Sequence, residues 1–348
     1  MDNKKLIHAV AGSGKTTTIL NLLDPKQQNL IITYTENNQN NLRSKIIDKF
    51  GYFPDHTFIF GVFKFLYDFC LVPYLGCKPK GINFNYIKKN NYDNNSVDDV
   101  GRIVSNQLSR SLLQGNLICN NKTYPIDKSY LERMDKFFDN IFIDECQDFE
   151  SDDFDWMLTL SQLKAKVLLV GDFYQKNLKT SIRGKKGTGI HSNFSNWKAA
   201  FIKAGFTVDQ DSLSKSYRCP EAICSFIRDK LNINIFSHEQ ISEPNNIEIK
   251  LIESPDEIKD VIMDDSIIKL FYQSSNKYDC KALNWGASKG LEFSKVCVVL
   301  NKTTFELFSK DKLNDMKPLT KSKFYVACTR TQGSLYFVNE ASLNMYKL

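Results

Sequence analysis

The sequence predicts a mixed α/β protein with two domains, each built on a parallel β-sheet. Short apolar runs of strand length alternate with longer segments that carry one apolar face, which is the pattern of a parallel sheet covered by helices. The first predicted strand leads directly into a glycine-rich turn and then into a helix. A chain of 348 residues is long enough for two domains of ordinary size. We therefore expect two α/β domains along the chain.

The predicted strands and helices form two series. In the first series, the helix after the second strand places Leu42, Ile46 and Phe50 on one face, at the spacing of an α-helix. In the second series, Ser254 and Pro255 are typical of a helix start. The predicted strands are residues 6–10, 30–34, 140–143, 166–170, 247–252, 267–271, 296–300 and 334–338, and the predicted helices include residues 17–23, 220–231 and 320–329. Two such series predict two sheets.

The domain boundaries follow from where these series stop. Between residues 71 and 128 the regular pattern gives way to a stretch rich in Asn, Lys, Tyr and Gly, which is typical of loops. The second series begins near Phe206. We therefore place the first domain at residues 1–205, with an insertion at about 71–128, and the second domain at residues 206–348.

Composition and charge narrow the class of protein modestly. Hydrophobic residues make up 42% of the chain, and we find no apolar run of transmembrane length and no signal peptide, so we expect a soluble, cytoplasmic protein. The nine cysteines contain no C-x-x-C pair, which argues against a zinc site or a redox couple. A formal net charge of +6 permits a polyanionic partner, although many equally basic proteins bind no nucleic acid.

Residues 9–16 have the spacing of a phosphate-binding loop. They fit the pattern G-x-x-x-x-G-K-[ST], with Ala9 in place of the first glycine, and lie between a predicted strand and a predicted helix. The glycines would let backbone amides face phosphate oxygens, Lys15 would place its charge at the β- and γ-phosphates, and the Thr16 hydroxyl would join the shell of a Mg²⁺ ion. A glycine-rich turn that happens to precede a lysine is the alternative. The loop alone leaves kinases and GTPases open.

Two carboxylates follow the apolar strand at residues 140–143. Asp144 and Glu145 would project from the edge of the sheet toward the phosphate loop. Asp144 would then hold Mg²⁺, and Glu145 would orient or activate the water that attacks the γ-phosphate. An acidic strand end that faces solvent is the alternative. Together with the phosphate loop, the pair predicts ATP and Mg²⁺ as cofactors.

The string D-E-C-Q-D at residues 144–148 resembles the D-E-x-Q-D box of superfamily 1 helicases of the UvrD/Rep type. Other segments resemble further boxes of that family and occur in the family's order. T-Y-T at 33–35 lies before this string. After it come V-G-D-F-Y-Q at 170–175, S-Y-R at 216–218, S-K-G-L-E-F at 288–293 and Y-V-A-C-T-R at 325–330. Only about seventy residues separate Arg218 from Lys289, where larger relatives carry an accessory domain, so the resemblance is to a reduced form. It implies two RecA-like P-loop NTPase domains with an ATP cleft between them, and a motor that moves 3′ to 5′ along single-stranded nucleic acid.

The resemblance also implies roles for single residues. Gln175 and Arg218 would contact the γ-phosphate, Glu292 would contact the ribose, and Arg330 would be the arginine finger. Such an arginine can raise the rate of phosphoryl transfer about 10³- to 10⁵-fold. The residues predicted for catalysis are Lys15, Asp144, Glu145, Gln175, Arg218 and Arg330; those predicted to bind the nucleotide are Ala11, Gly12, Ser13, Gly14, Lys15, Thr16, Thr17, Gly290 and Glu292; those predicted to hold the metal are Thr16 and Asp144.

A second set of residues is predicted to contact a nucleic-acid strand. Thr35 lies in the segment that touches the strand's backbone in the family, and Asn284 and Ser288 belong to the box that begins the coupling element. Asn284 stands where the family carries threonine, so the contacts there must differ. The family's base-stacking aromatic has no counterpart here. Stacking is worth about 1–3 kcal/mol per base, so its loss would either weaken binding of the strand or move the stacking to Tyr174 or Trp197. Packing of both rings is an equal alternative.

A basic loop adds one more candidate. Arg183, Lys185 and Lys186 lie between glycines and would contact phosphates without reading the base sequence. A solvated basic loop is the equal alternative.

Three functions remain open from the sequence. The first is an ATP-dependent motor on single-stranded DNA, with a protein partner supplying accessory functions. The second is a switch subunit that uses ATP to open and close against a partner such as a nuclease, and the third is an RNA helicase of a virus or plasmid, since nothing in the sequence tests for the 2′-hydroxyl. Intact Glu145, Gln175 and Arg330 favour turnover, whereas the altered strand-contacting boxes favour the switch. We expect DNA rather than RNA.

Overall fold

The computed structural model describes residues 3–75, 79–86, 95–119, 122–127, 129–176, 189–239 and 247–348. These residues form a mixed α/β fold whose two main sheets contain parallel strands, which confirms the predicted fold class. The chain divides into two compact units. The first unit contains Met1–Ile7, Thr16–Gly171 and Leu178–Asp209, and the second contains His8–Lys15, Asp172–Asn177 and Gln210–Leu348.

The strands and helices have the following bounds. The strands are β1 (Lys4–Ala9), β2 (Asn29–Thr33), β3 (Thr57–Gly61), β4 (Ile82–Asn83), β5 (Ile103–Val104), β6 (Asn116–Cys119), β7 (Lys122–Pro125), β8 (Asn140–Asp144), β9 (Lys166–Gly171), β10 (Thr207–Leu213), β11 (Lys215–Ser216), β12 (Phe236–Ser237), β13 (Ile249–Ile252), β14 (Ile267–Phe271), β15 (Ala282–Asn284), β16 (Lys295–Leu300) and β17 (Leu335–Asn339). The α-helices are α1 (Lys15–Leu22), α2 (Glu36–Phe50), α3 (Val62–Lys64), α4 (Leu108–Gln114), α5 (Tyr130–Phe137), α6 (Ser151–Thr159), α7 (Phe194–Ala204), α8 (Glu221–Leu231), α9 (Pro255–Met263), α10 (Lys302–Ser309) and α11 (Pro318–Cys328).

The larger sheet has the strand order β10-β1-β9-β8-β2-β3. Strands β3, β2, β8 and β9 pair in parallel, in that order. Every residue of β2 and β8 is buried, which explains why both read as continuous apolar runs in the sequence. Asp144 is the last residue of β8, so the sheet fixes where this carboxylate lies.

The predicted insertion contains regular structure where it is described. It holds helix α4 and the antiparallel hairpin of β6 and β7. Helix α4 buries Leu108 and Leu112 and contacts helix α6 of the same unit. A polar network crosses this contact: the Ser109 hydroxyl donates to Asp153 Oδ1 at 2.6 Å, and the Tyr34 hydroxyl donates to Oδ2 at 3.0 Å. The network thus joins the insertion to the T-Y-T segment.

Asp153 in this network should make stability depend on pH. Burial raises the pKa of Asp153 to about 6, and the charges of Asp152 and Glu150 add to the rise, although its two hydrogen bonds oppose it. In the unfolded chain the carboxyl titrates near pH 4, so the folded chain keeps a proton that the unfolded chain has lost, and stability falls as pH rises from about 4 to about 6. Asp153→Asn removes this loss. The measured quantity is the free energy of unfolding of Asp153→Asn minus that of wild type. This difference should be larger at pH 7 than at pH 4 by about 2–3 kcal/mol.

Denaturant titration of the two proteins at both pH values measures this difference. The exposed Asp48 of helix α2 provides the matched control, because Asp48→Asn should leave the pH dependence of wild type unchanged. A difference between Asp153→Asn and wild type that is the same at both pH values would contradict the expected role of burial.

The second unit contains a five-stranded sheet in the order β13-β17-β16-β14-β15, in which every pairing is parallel. Strand β14 is buried along its whole length, and β16 is buried from Val296 to Leu300. Helix α9 begins at Pro255, after Ser254, as the sequence predicts, although the Ser254 side chain makes no capping hydrogen bond. Among the described residues, no helix combines the length and the apolar character needed to cross a bilayer.

Candidate nucleotide-binding site

Residues 9–16 form a tight turn between β1 and α1. Gly12 and Gly14 have φ angles of +71° and +84°, in the left-handed region that glycine adopts at little cost. The turn closes on one carbonyl, since the N–H and the hydroxyl of Ser13 both donate to Val10 O, at 3.3 and 2.9 Å. Helix α1 then begins at Lys15. The first N–H groups of a helix have no acceptor within the helix and favour an anion, so this turn has the local geometry of a phosphate site.

The S-Y-R box contacts this turn at Gly12, and the box and Gly12 both belong to the second unit. The N–H of Tyr217 donates to Gly12 O at 2.8 Å. A Cβ atom at Gly12 would lie 2.7 Å from Arg218 Cβ and 2.8 Å from Ser216 Oγ, which is closer than side-chain atoms approach one another. Glycine is therefore required at position 12 both by its backbone angle and by the space around it.

Two side chains with oxygen atoms suited to Mg²⁺ lie close together in the first unit, one on helix α1 and one at the end of β8. The Thr16 hydroxyl lies 3.5 Å from Asp144 Oδ2, and Asp144 is 4% exposed. Mg²⁺ prefers oxygen ligands, and in nucleotide sites it takes few from the protein and the others from phosphate and water. The pair fits that requirement. No cluster of three or more His, Cys, Asp or Glu side chains suited to a metal occurs in the part of the chain that the structure describes.

Glu145 has a backbone conformation that is unfavourable for its residue type. Its φ angle is +56°, in the left-handed region, where a non-glycine residue costs energy. Its N–H donates to Asp144 Oδ1 at 2.9 Å, and its carboxylate accepts a hydrogen bond from the Gln147 side chain. A Cβ atom at Gly171 would collide with Gln147 and Cys146, so the neighbouring strand β9 ends close against this segment. The turn after β8 is therefore held in one position around the two carboxylates.

The last four residues of the V-G-D-F-Y-Q box, 172–175, form a short turn in the second unit. Gln175 is 3% exposed, and its N–H donates to Asp172 O at 2.9 Å. The Asp172 carboxylate closes the turn by accepting from Tyr174 N at 3.0 Å and from the Tyr325 hydroxyl at 3.2 Å. The Tyr325 oxygen accepts in turn from the Ala11 N–H at 2.9 Å. A buried phenol thus joins this turn to the phosphate loop.

The two residues predicted for the γ-phosphate and the ribose bind each other in the second unit. The Arg218 guanidinium donates from Nε and Nη2 to Glu292 Oε1, at 2.8 and 2.6 Å. Its Nη1 donates to Thr329 O at 3.3 Å, and Gln332 holds the second carboxylate oxygen of Glu292 at 3.0 Å. Gly290, two residues before Glu292, has a φ angle of +89°. The ion pair therefore sets where the Arg218 side chain lies beside Gly12.

The guanidinium of Arg330 is buried, with 1% of the residue exposed. It donates to Val326 O at 3.0 Å and to Leu291 O at 3.4 Å. Burial lowers the pKa of Arg330 to about 10, and the positive charge of Arg218 adds to the shift. Arg330 therefore remains charged at neutral pH in a poorly solvated position.

The residues predicted to contact nucleic acid lie in several environments. In the first unit, Thr35 precedes helix α2, and its hydroxyl accepts from Asn38 N at 3.3 Å. In the second unit, Ser288 is buried and donates to Trp285 O at 2.7 Å, and Asn284 accepts from Ser275 N at 3.0 Å. Tyr174 is half-buried against the core of the second unit, and Trp197 is fully buried in the first. The basic loop with Arg183, Lys185 and Lys186 lies outside the described residues.

Two tyrosines within the boxes have contacts that the sequence did not predict. Tyr325 is fully buried, and burial raises its pKa well above the usual value, with the Asp172 charge adding to the rise. Tyr217 is 55% exposed, and its ring stacks on His238 with the centroids 4.0 Å apart. The signal in the sequence was that each tyrosine belongs to the same box as a predicted arginine.

One segment of the chain is similar to a known protein family. Residues 5–57 match the model described as the viral superfamily 1 RNA helicase core domain. The match is to a superfamily 1 helicase core. It contains the phosphate loop and the T-Y-T box, and it does not support the UvrD/Rep type in particular. No curated protein matches the chain.

Similar solved structures include viral helicases. The structure of the PRRSV helicase is 15% identical, covers 98% of this chain and 53% of its own, and has a TM-score of 0.48. Arterivirus nonstructural protein 10 (helicase) in a complex with DNA is 14% identical, covers 97% and 61%, and has a TM-score of 0.49; a structure of the same Arterivirus protein described without DNA is 13% identical, covers 98% and 62%, and has a TM-score of 0.46. The chain thus spans less than two thirds of these proteins.

Proposed function

We propose that this chain contains the ATP-hydrolysing core of a superfamily 1 helicase or translocase that acts on single-stranded nucleic acid. In this proposal, residues 1–205 and 206–348 correspond to the two RecA-like domains. ATP binds at the phosphate loop with Mg²⁺, and hydrolysis drives movement along the strand.

The observation that carries the proposal is the pairing of Thr16 with Asp144, 3.5 Å apart, immediately before Glu145. A hydroxyl directly after the phosphate-binding lysine and a carboxylate at a strand end are the two protein ligands that a P-loop ATPase gives to Mg²⁺. The magnesium ion supplies charge neutralisation at the phosphates. Glu145, the next residue, then has the position and the acidity to orient the attacking water.

The backbone and charge of three further residues support turnover. The strained conformation of Glu145 favours a functional role, because such strain persists where the surroundings impose it. Arg218 lies beside Gly12 in the second unit and can supply positive charge to a phosphate there. Among the residues that the structure describes, the hydrogen-bond acceptors of Arg330 are two carbonyls and a hydroxyl, all neutral, so a buried guanidinium in this setting favours an added anionic partner.

Single-stranded nucleic acid is the proposed track. Thr35, which begins helix α2, is the best placed of the predicted contacts, because helix N-termini suit phosphate groups. The family model that matches residues 5–57 describes RNA helicases, which supports the viral RNA-helicase alternative at least as well as a DNA motor. The 3′ to 5′ direction rests on the UvrD/Rep resemblance alone.

Displacement of streptavidin from biotinylated oligonucleotides tests movement and direction together. The substrates are single-stranded DNA and RNA of equal length, with biotin at either the 3′ or the 5′ end. We expect ATP to accelerate release from the 5′ end of one of the two polymers. Release from neither end of either polymer, in protein that hydrolyses ATP, would replace the motor with the partner-coupled switch.

A further inference from the structure

We infer that Tyr325 is a positioning residue whose hydroxyl holds the phosphate loop and the turn that carries Gln175 in one arrangement. The inference rests on the proposed function, since it assigns Tyr325 to the same ATPase site. Tyr325 acts through Ala11 and Asp172 and is not placed in contact with the nucleotide.

Within the second unit, the hydroxyl of Tyr325 both accepts and donates a hydrogen bond. The phenol oxygen accepts from Ala11 N at 2.9 Å and donates to Asp172 Oδ2 at 3.2 Å. Tyr325, Ala11 and Asp172 are each 0% exposed. A buried N–H and a buried carboxylate both need hydrogen-bond partners, and the phenol supplies one to each. Removing the hydroxyl would leave both without this partner.

Asp172 connects Tyr325 to Gln175, the residue predicted to contact the γ-phosphate. Its other oxygen, Oδ1, accepts from Tyr174 N at 3.0 Å, and its carbonyl accepts from Gln175 N at 2.9 Å. The side chain and the carbonyl of Asp172 therefore both hold the turn that carries Gln175, and the phenol holds the side chain. The phenol keeps its proton at neutral pH, because its pKa lies well above the usual value, so it donates to Asp172 throughout the physiological range.

Helix α11 adds a third element to this arrangement. Tyr325 is five residues before Arg330, and the last turn of the helix joins them: Thr329 N donates to Tyr325 O at 3.0 Å, and Arg330 Nε donates to Val326 O at 3.0 Å. The same helix thus carries the phenol that reaches the phosphate loop and the base of the predicted arginine finger. Because the phenol engages the Ala11 N–H, it holds the backbone of the phosphate loop directly before Gly12.

Tyr325→Phe tests the inference, because it removes the hydroxyl and keeps the ring. We expect kcat for ATP hydrolysis to fall by about tenfold or more, since a hydrogen bond to a charged group is lost. KM for ATP should change by less than about threefold, because Lys15 and the loop glycines remain. Tyr278→Phe is the matched control: Tyr278 is also a buried tyrosine of the second unit that donates to a carboxylate, Glu340, at 3.0 Å. It should keep wild-type kcat and KM.

Amide hydrogen exchange provides a second readout that does not require turnover. Exchange at Ala11 and at residues 172–176 should be faster in Tyr325→Phe than in wild type or Tyr278→Phe. A kcat equal to that of the control, or unchanged exchange at Ala11, would overturn the inference. Failure of the proposed function gives a different result: any ATP hydrolysis by wild-type protein is then equally fast in Lys15→Ala. The exchange experiment still reports on Tyr325 in that case, because it does not need turnover.

Discussion

Lys15→Ala should reduce kcat/KM for ATP hydrolysis by at least about 10²- to 10³-fold. Lys15 is the first residue of helix α1 and follows Gly14, so it is the cation nearest in sequence to the amides of the phosphate loop. Its charge is expected to act on the β- and γ-phosphates, where negative charge builds up during transfer. Steady-state turnover with purified protein measures this effect, and binding of a fluorescent ATP analogue separates lost affinity from lost chemistry.

The control for this variant is Lys45→Ala. Lys45 is an exposed lysine of helix α2 in the first unit, so removing it tests for a general effect of charge. Lys45→Ala should keep wild-type turnover. Equal turnover by Lys15→Ala and Lys45→Ala would mean that residues 9–16 are a glycine-rich turn without a phosphate-binding role.

Glu145→Gln should lower kcat by about 10²- to 10⁴-fold while ATP binding is retained. The change keeps the size of the side chain and an oxygen that can accept from Gln147, but it removes the negative charge that we propose activates water. The left-handed backbone at this position is unchanged, so the turn around Asp144 should persist. Because the proposed metal ligands, Thr16 and Asp144, and the phosphate loop remain, the affinity for ATP with Mg²⁺ should stay within about threefold of wild type.

The exposed Glu132 of helix α5 gives the matched control for this change. Glu132→Gln should hydrolyse ATP at the wild-type rate. If Glu145→Gln retains most of its kcat, another group activates the water and the acidic pair is a structural strand end.

The parts of the fold predicted from the sequence are those set by local patterns. Strands β2, β8 and β16 are buried on both faces and so consist of continuous apolar residues, which identify them directly. Helix α9 was found from Pro255 at its start. Strand β10, T-V-D-Q-D-S-L, was not predicted because it is mostly polar and contains no apolar run. It is stabilised instead by its pairing with β1 at the end of the sheet.

The candidate site shows the same division between local and distant information. The left-handed turns at Gly12 and Gly14 follow from the loop's own sequence. The bond from Ala11 to Tyr325 joins residues 314 positions apart, and the pair of Arg218 with Glu292 joins residues 74 apart. A motif identifies each residue but not its partner, because the pairing depends on how distant segments pack. Sequence reasoning therefore named Arg218 and Glu292 without predicting that they bind each other.

The most direct test of the account is steady-state ATP hydrolysis by the chain without nucleic acid, with single-stranded DNA and with single-stranded RNA, beside Lys15→Ala and Glu145→Gln. We expect one polymer to stimulate hydrolysis strongly and both variants to abolish the stimulated activity. That result would establish a nucleic-acid-dependent ATPase and identify its track. Hydrolysis by folded protein that neither polymer changes would contradict the central claim and favour the switch that acts on a protein partner.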